Sequence, residues 1–345
     1  MEKFSICTSQ KPAHVSTLLL MDIRPYSPDL KKTWDDFVWQ KSRNGTLFHT
    51  RQFLEYHIEG KFEDGSLLFY DENKLRAVLT AVIEEGKEGK HLISHPGASY
   101  GGIVLSKKSG AAETLGIVEL FCKYFRCEKF TKASFLRLTP TPLRRMPSDD
   151  LEYALLRHGF KLSRFELANT LPLDDLKEGA LIESFDMQCR NKVRQAERAG
   201  VEVRLCDEYE AFWPILEEVL KERHHLEPTH TLFEMQSFKA QYPDHIRLFG
   251  AFKDKKLIAG LVSIDVVEHA DYVLYTAQDF SHKNERPVNL LVTEAIRDSI
   301  RRGKRVIHIG VSTYDGGEKL NDGLCGFKEG FGAFCVRRES YTLDI

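Results

Sequence analysis

Residues 249–264, FGAFKDKKLIAGLVSI, decide the fold of this chain. Two apolar runs flank the polar quartet 253–256, a pattern that predicts strand, tight turn and strand. The first strand is expected over 247–252 and the second, longer strand over 257–267. This predicted hairpin is the point from which the neighbouring elements can be assigned.

The elements that follow the hairpin predict an α/β protein. We expect a strand at 272–277, a helix at 288–302 and a strand at 306–309. Gly303 is expected to end the helix, because glycine readily adopts the left-handed conformation that closes many helices. Strands that alternate with helices in this way predict mixed sheets of the α/β (α+β) class.

The first half of the chain repeats this order of elements. Strand, turn and strand are predicted over 66–83, a helix over 111–125 and a strand over 135–138. Leu75 and Leu257, which begin corresponding strands, are 182 positions apart. A repeat of whole-domain size is what a duplicated domain leaves behind, so we expect two tandem domains.

The bulk composition fits two globular domains, which we place at 1–165 and 166–345. The chain has 345 residues, 42% hydrophobic and 29% charged, so each half can bury a core. A formal net charge of −2 excludes a global basic field that would gather nucleic acid. The apolar run at 18–21 is too short to span a bilayer, so we expect a cytoplasmic protein without a transmembrane segment.

The cysteines are scattered, and none belongs to a C-x-x-C pair or stands beside histidines at zinc spacing. We therefore expect buried free thiols in a reducing compartment, no metal site and no tightly bound cofactor. A catalytic cysteine is disfavoured, since no partner motif accompanies any of them. The seven are Cys7, Cys122, Cys127, Cys189, Cys206, Cys325 and Cys335.

A basic helix is predicted over residues 183–200, between the two sets of elements. Arg190, Arg194 and Arg198 follow one another at steps of four positions, which places them on one side of the helix. Guanidinium groups so arranged suit the phosphates of a nucleotide-linked substrate or a tRNA end. The alternative is a solvated face, on which charges simply meet water.

Residues 326–332, GFKEGFG, place Lys328 between two phenylalanines in a stretch rich in glycine. A partly desolvated ammonium there would stabilise a carbonyl oxygen that gains charge during acyl transfer. The sequence by itself favours the alternative, a surface turn with a solvated lysine.

Two loops complete the set of candidate sites. The glycines of the Gly/Ser-rich loop 95–102 allow a ligand to approach the backbone closely. His95 in this loop is a candidate acid or base near neutral pH. The alternative is a structural or solvated histidine, which is more common in loops. The loop 278–287, QDFSHKNERP, contains no glycine, so no backbone cradle for a pyrophosphate is encoded. Lys283 and Arg286 would have to contact phosphate by their side chains.

The four stretches 190–203, 249–264, 286–313 and 326–332 together resemble the tandem-GNAT, FemAB-like (Fem-type) acyltransferase family in order and spacing. The resemblance spans residues of about 30 to 340. It implies a mixed sheet in each half with helices on both faces. The long coiled-coil arm of some Fem proteins is absent, since no heptad run interrupts residues 205–245.

The resemblance also implies roles for particular residues. Phe327 and Lys328 match a Phe-Lys pair near the reacting carbonyl, and the basic helix matches at Arg190, Lys192 and Arg194. The donor is expected between the strands at 257–267 and 272–277, and the first half is expected to line the acceptor cleft through His95 and Tyr100. His308 replaces an aspartate that relatives often carry, which puts any role of that carboxylate in doubt here.

Three functions are compatible with these features. The first is a Fem-like N-acyltransferase that uses aminoacyl-tRNA and acts on an amine of a peptide or amino sugar. The second is an N-acyltransferase that uses acyl-CoA or an acyl carrier in polysaccharide or natural-product assembly. The third is a degenerate tandem domain that binds a nucleotide-linked ligand without catalysis, which the presence of Lys328 disfavours. For either enzyme Asp265, Glu268 and Glu294 are available as bases.

Overall fold

The computed structural model describes residues 21–55, 60–87, 89–224 and 226–344. Cys7 and most of the apolar run at 18–21 lie outside these ranges. None of the helices in the described ranges is both long and apolar enough to cross a membrane.

Seventeen strands are present in the described part of the chain. They are β1 (Met21–Pro25), β2 (Glu63–Asp64), β3 (Leu67–Asp71), β4 (Lys74–Thr80), β5 (Val82–Gly86), β6 (Gly89–Ser94), β7 (Gly102–Leu105), β8 (Phe130–Phe135), β9 (Lys161–Pro172), β10 (Glu202–Cys206), β11 (Ile246–Lys253), β12 (Lys256–Val267), β13 (Ala270–Gln278), β14 (Val306–Val311), β15 (Thr313–Tyr314), β16 (Lys319–Leu320) and β17 (Phe334–Asp344).

Ten α-helices accompany these strands in the same ranges, together with short 3₁₀ and π turns. The helices are α1 (Lys31–Asp36), α2 (Arg51–Leu54), α3 (Ala111–Cys127), α4 (Asp150–Arg157), α5 (Leu181–Ser184), α6 (Met187–Arg198), α7 (Tyr209–His224), α8 (Leu232–Gln241), α9 (Pro287–Arg301) and α10 (Asp322–Glu329).

The strands form mixed sheets, which confirms the predicted α/β class. One sheet has eleven strands in the order β10-β11-β12-β13-β14-β9-β17-β8-β6-β5-β2, and a second has the order β1-β3-β4-β7. Each half contains one parallel pair, β6 with β8 and β13 with β14, joined by a connection that includes α3 or α9. The helices between β10 and β11 are α7, with 16 residues, and α8, with 10, so no coiled-coil arm leaves the described part of the chain there.

The C-terminal strand β17 joins the two halves. It pairs with β9 on one side and with β8, from the first half, on the other. The predicted boundary between residues 165 and 166 falls inside β9, in the middle of the continuous sheet. The division into domains at that point remains a prediction.

Side chains on β11 and β12 alternate between two cores, as the period of a strand requires. Leu248, Val262 and Ile264 face the core that contains α7. Phe249 and Leu261 face the other core, which contains α6 and α9. The sheet of the second half therefore has helices on both faces, as the resemblance implied.

The sequence placed most second-half elements within a few residues and erred more in the first half. The strand expected at 135–138 ends at Phe135 and begins at Phe130. Near the start of the described chain the helix α1 runs into a π turn at Phe37–Lys41, and the short α2 follows from Arg51. Thr50 caps α2 by accepting a hydrogen bond from the Phe53 N–H, so a new helix starts there.

A buried ion network ties the β12–β13 hairpin to the end of α9. Arg302 donates to Asp298 at 2.7 Å, to Asp265 at 2.7 Å and to Asp271. Asp271 is fully buried, and burial raises its pKa to about 6 although Arg302 opposes the shift. Arg302 is therefore the partner that keeps a carboxylate tolerable at this depth.

Replacing Arg302 by alanine should lower the free energy of unfolding by about 3–5 kcal/mol, because Asp271 then carries a buried charge that has lost its main partner. The deficit should shrink as the pH falls through about 6, since protonation of Asp271 removes that charge. Urea denaturation at several pH values measures both effects.

Arg301→Ala is the matched control, because Arg301 is half exposed and pairs with Glu178 at 3.4 Å. This substitution should lower the free energy of unfolding by no more than about 1 kcal/mol. Equal losses in the two variants would contradict the assignment.

Candidate functional site

A cleft opens in the second half where two parallel strands separate. β13 and β14 pair over three residue pairs, from Ala270 with Val306 to Tyr272 with His308. Beyond them β13 continues to Gln278 without β14 as its neighbour. The peptide groups on that edge of β13 therefore face the cleft.

The cleft lies between β13 and β14, so the predicted position between the strands at 257–267 and 272–277 is wrong. Those two strands, β12 and β13, pair along nearly their whole length, from Ala259 with Gln278 to Val267 with Ala270. A tight turn joins them and keeps them together. β13 and β14 are instead connected through α9 and can diverge, and Gly310, at φ +76°, sits where β14 turns away.

The cavity in this cleft has a volume of about 660 Å³. One wall is apolar and comes from α7 through Leu216, Val219 and Leu220. The other walls are β13, the end of β14, the first turn of α9 and the helix α10. Such a volume, bounded by apolar side chains and a few polar groups, is typical of a small-molecule site.

Lys328 lines this cavity from α10 and is only 3% exposed. Its ammonium donates to the carbonyl oxygens of Gly310 at 2.9 Å and Val311 at 2.7 Å, and to the Ser312 hydroxyl at 3.0 Å. Burial lowers the pKa of Lys328 to about 7. Only the protonated form has three N–H donors for these three acceptors, so the hydrogen bonds stabilise the charged form.

The turn expected over residues 326–332 is wrong, because residues up to Glu329 belong to α10. Asn321 caps this helix by accepting a hydrogen bond from the Leu324 N–H at 3.0 Å. Phe327 faces the cavity and packs edge-on against Phe331 at 5.2 Å. The glycines of residues 326–332 suggested a turn, whereas the capping residue of the helix, Asn321, lies before this stretch.

Three basic side chains from the sequence analysis line the cavity: Lys192, Lys283 and Arg286. Arg286 precedes the first turn of α9 at φ +56°, a conformation that glycine would adopt at lower cost. Residues 280–285 form a 3₁₀ turn in place of a glycine-rich loop. Positive charge at the start of α9 thus comes from side chains together with the helix dipole.

Arg190 and Arg194 lie on the same helix as Lys192 but do not line the cavity among the described residues. Arg194 is exposed and lies 3.8 Å from Glu183, while Arg190 is half-buried and reaches the Glu183 carbonyl at 3.5 Å. The structure therefore separates the predicted basic set into one residue in the cleft and two outside it.

Tyr100 brings the first half against the base of the cleft. It is fully buried, and its ring meets Tyr272 at 5.9 Å and His308 at 6.3 Å. His95 is also buried, and its Nδ1 accepts a hydrogen bond from the Gly97 N–H at 3.2 Å within its own loop. Neither Tyr100 nor His95 lines the cavity among the described residues, but Tyr100 contacts Tyr272, which does.

His308 is a buried neutral imidazole. It stacks on Tyr272 at 5.4 Å, and its Nδ1 lies 2.9 Å from the Thr170 hydroxyl. Burial lowers the pKa of His308 to about 3, and the charges of Arg338 and Lys328 lower it further. With so low a pKa, His308 cannot act as a general base in place of the aspartate that relatives often carry at this position.

The carboxylates considered as bases do not line the cavity among the described residues. Asp265 pairs with Arg247 at 2.6 Å in the ion network, and Glu268 pairs with Arg145 at 2.8 Å. Glu294 pairs with Arg297 on the surface of α9. All three are engaged in structural ion pairs.

Sequence reasoning missed the side chains that hold Lys328, and it missed the stacking of Tyr272 on His308 at the base of the cleft. Ser312 and Asn169 join Lys328 in a hydrogen-bonded chain, with Ser312 donating to Asn169 at 2.6 Å. Asn169 comes from β9, far away in sequence. No local signal in the sequence indicates it, because the contact is formed between distant segments.

Comparisons with known proteins agree with this geometry. Residues 184–319 match the family model of the acetyltransferase (GNAT) domain. The crystal structure of FemX aligns with a TM-score of 0.70 at 14% identity, covering 94% of this chain and 97% of that chain. A tandem GNAT protein from the clavulanic acid biosynthesis pathway aligns with a TM-score of 0.55 at 11% identity, covering 94% and 98%. The C-terminal domain of a putative lysylphosphatidylglycerol synthetase from Agrobacterium fabrum gives 0.53 at 12% identity, covering 77% and 80%. No curated protein matched the sequence.

The chain therefore has a GNAT-like fold, in which residues 184–319 match the model of a GNAT acetyltransferase domain. Nearly its whole length shares the architecture of FemX and of a tandem GNAT protein.

Replacing Lys328 by methionine should lower the free energy of unfolding by about 1–3 kcal/mol, because the Gly310 and Val311 carbonyls lose their donor. Hydrogen exchange should also become faster at the end of β14. Lys319→Met is the control, since Lys319 is exposed and pairs with Asp315 at 2.8 Å. An Lys328→Met variant with unchanged stability and exchange would show that these hydrogen bonds do not hold β14.

Proposed function

We propose that this chain is an N-acyltransferase that moves an acyl or aminoacyl group from a phosphate-bearing donor to an amine of a peptide or amino sugar. The observation that carries the proposal is the cleft between β13 and β14. It combines unpaired peptide groups, the buried ammonium of Lys328 and three further basic side chains in one cavity. The GNAT domain match supports the same reaction class.

The proposed reaction is direct transfer. The neutral amine attacks the carbonyl carbon of the donor, a C–N bond forms, and the C–S or C–O bond to the carrier breaks. The proton of the amine passes to water, because Asp265, Glu268 and Glu294 are engaged in ion pairs. The carrier leaves as a thiolate, or as an alcohol that takes up a proton from water. Peptide N–H groups and the positive charge of Lys328 stabilise the developing oxyanion, which is worth most in a site shielded from water.

Lys328 acts in this proposal through its charge, since all three of its N–H groups already have acceptors. Phe327 packs beside it at the cavity wall and limits the access of water. The first half supports the acceptor side, where Tyr100 packs behind Tyr272 and His95 fixes the adjoining loop.

The donor in the Fem-like version of this proposal is aminoacyl-tRNA. Its support is the loop 278–287, where a 3₁₀ turn replaces the backbone cradle for a pyrophosphate. The basic helix α6 offers Arg190 and Arg194 outside the cleft, where a large polyanion would meet them. An acyl-CoA donor is the second candidate, because Lys192, Lys283 and Arg286 line the cavity beside the start of α9.

Two double charge reversals, matched in charge, separate these donors. Lys192→Glu with Lys283→Glu should weaken either donor about tenfold or more, because it places negative charge at the cavity wall. Arg190→Glu with Arg194→Glu should weaken charged tRNA alone, since a donor confined to the cleft does not reach these side chains. Binding of a coenzyme A thioester and of aminoacyl-tRNA is measured side by side for both variants.

Retained affinity for both donors in the cleft variant would contradict the proposed donor site. Loss of thioester binding in the Arg190/Arg194 variant would contradict the separation of the two basic sets. The outcome for tRNA in that variant decides between the Fem-like donor and coenzyme A.

Replacing Lys328 by alanine should lower kcat about 100-fold and change donor affinity little, because the charge stabilises an oxyanion that exists only in the transition state. Lys328→Arg should recover part of kcat by restoring a positive charge. Single-turnover rates and donor dissociation constants separate the two quantities. If kcat is unchanged in Lys328→Ala, the lysine has no part in the mechanism.

A further inference from the structure

Two cysteines and a glutamate converge beside the cleft, outside the residues used in the proposed reaction. Cys325 and Glu329 are one turn apart on α10, and Cys335 is on β17. The two sulfurs are 3.5 Å apart, and Cys325 Sγ lies 3.4 Å from Glu329 Oε1. The three donor atoms all lie within 4.8 Å of one another.

The two distances measured from Cys325 fit edges of one coordination tetrahedron. Zinc binds thiolate sulfur at about 2.3 Å and carboxylate oxygen at about 2.0 Å, so tetrahedral geometry places two sulfurs about 3.8 Å apart and sulfur and oxygen about 3.5 Å apart. The observed separations differ from these edges by a few tenths of an ångström. Cys335 Sγ and the Glu329 carboxylate lie within 4.8 Å of each other, so rotation of the exposed Glu329 side chain brings all three donors onto a single ion.

Asn169 presents its amide nitrogen to both sulfurs. The Nδ2 atom lies 3.6 Å from Cys335 Sγ and 3.9 Å from Cys325 Sγ. Its orientation is fixed, because Oδ1 accepts a hydrogen bond from the Ser312 hydroxyl at 2.6 Å, and Ser312 in turn accepts from Lys328. Amide N–H groups aimed at sulfur stabilise the thiolate form that a metal requires.

We propose that Cys325, Cys335 and Glu329 form a binding site for a thiolate-seeking divalent cation of the Zn²⁺ class. Both thiols lose their protons to solvent when the ion binds; the two thiolates balance the charge of the ion, and the carboxylate completes the protein ligands and leaves the site with one net negative charge. Cys325 is buried, Cys335 is half-buried and Glu329 is exposed, so the fourth position faces solvent and takes water. A disulfide would use neither Glu329 nor the fixed amide of Asn169.

The ion would join α10 to β17 at the point where α10 carries Lys328 into the cleft. This consequence for catalysis rests on the proposed function, whereas the binding site itself does not. The sequence predicted no metal site, because Cys325 and Cys335 are ten positions apart and form no recognised spacing. The helix and the following strand bring them together.

The test uses the full chain, kept reduced and stripped of metal, and titrates it with Zn²⁺ and separately with Co²⁺. We expect one ion per chain, release of protons, and a sulfur-to-cobalt charge-transfer band whose intensity corresponds to two thiolates. Cys325→Ser and Cys335→Ser should each weaken Zn²⁺ binding at least about 100-fold and reduce the band, and Glu329→Gln should weaken it about 10-fold. Glu329 is exposed, so this last variant folds even if a buried cysteine variant does not.

Cys127→Ser is the matched control, because Cys127 is an exposed thiol outside the cluster, and its Zn²⁺ affinity should equal that of the parent chain. Absence of Zn²⁺ binding by the reduced chain would overturn the proposal, as would binding that all three cluster variants retain. A Cys325–Cys335 disulfide in a chain whose reduced form binds no ion would identify a redox pair instead. Catalytic assays are not needed for any of these outcomes, so failure here is distinct from failure of the proposed acyl transfer.

Discussion

Three residue pairs hold β13 to β14, and the shortness of this pairing governs the second half. If β13 and β14 stayed paired along their whole length, no cavity would form between them. If they did not pair at all, they would not be held side by side to line the same cavity. Here the pairing stops at Tyr272 and His308, and the cavity opens beyond that point. Lys328 donates hydrogen bonds to Gly310, Val311 and Ser312, so it holds the end of β14 in place beside the cavity. The cavity, the exposed strand edge and the placement of α10 all follow from this arrangement.

Patterns along the chain predicted the parts of the fold that are determined locally. The hairpin of β11 and β12 and the helix α9 were found because strand and helix periods repeat over many residues and end at clear turn or glycine signals. The helix α10 was missed because its glycines suggested a turn, while Asn321 caps it from outside the motif. The position of the cleft was also missed, since it depends on which strand leaves the sheet, and that is decided by long-range pairing.

In the candidate site, too, the features that depend on local sequence were predicted and those that depend on long-range contacts were missed. Lys283 and Arg286 were singled out because they stand between a predicted strand and a predicted helix, and both line the cavity; their role as phosphate contacts stays a prediction. Arg190 and Arg194 were expected beside Lys192 from helical spacing, but the spacing does not say which side of the helix meets the cleft. Asn169 comes from β9 and shares contacts with Ser312 and the two thiols of the cluster. Such contacts between distant segments leave no trace in spacing or composition.

The insertion of β17 between β9 and β8 has a consequence for how the chain is made. The Arg137 N–H, two residues after the end of β8, donates to the Ser340 hydroxyl, 203 positions later in the chain. During synthesis the first half therefore emerges with β8 as an unpaired strand edge, which stays open until residues 334–344 have left the ribosome. Contacts of such long range slow folding, and an open edge is a surface on which chains aggregate. The two halves can be similar in architecture and still depend on each other to complete a single sheet.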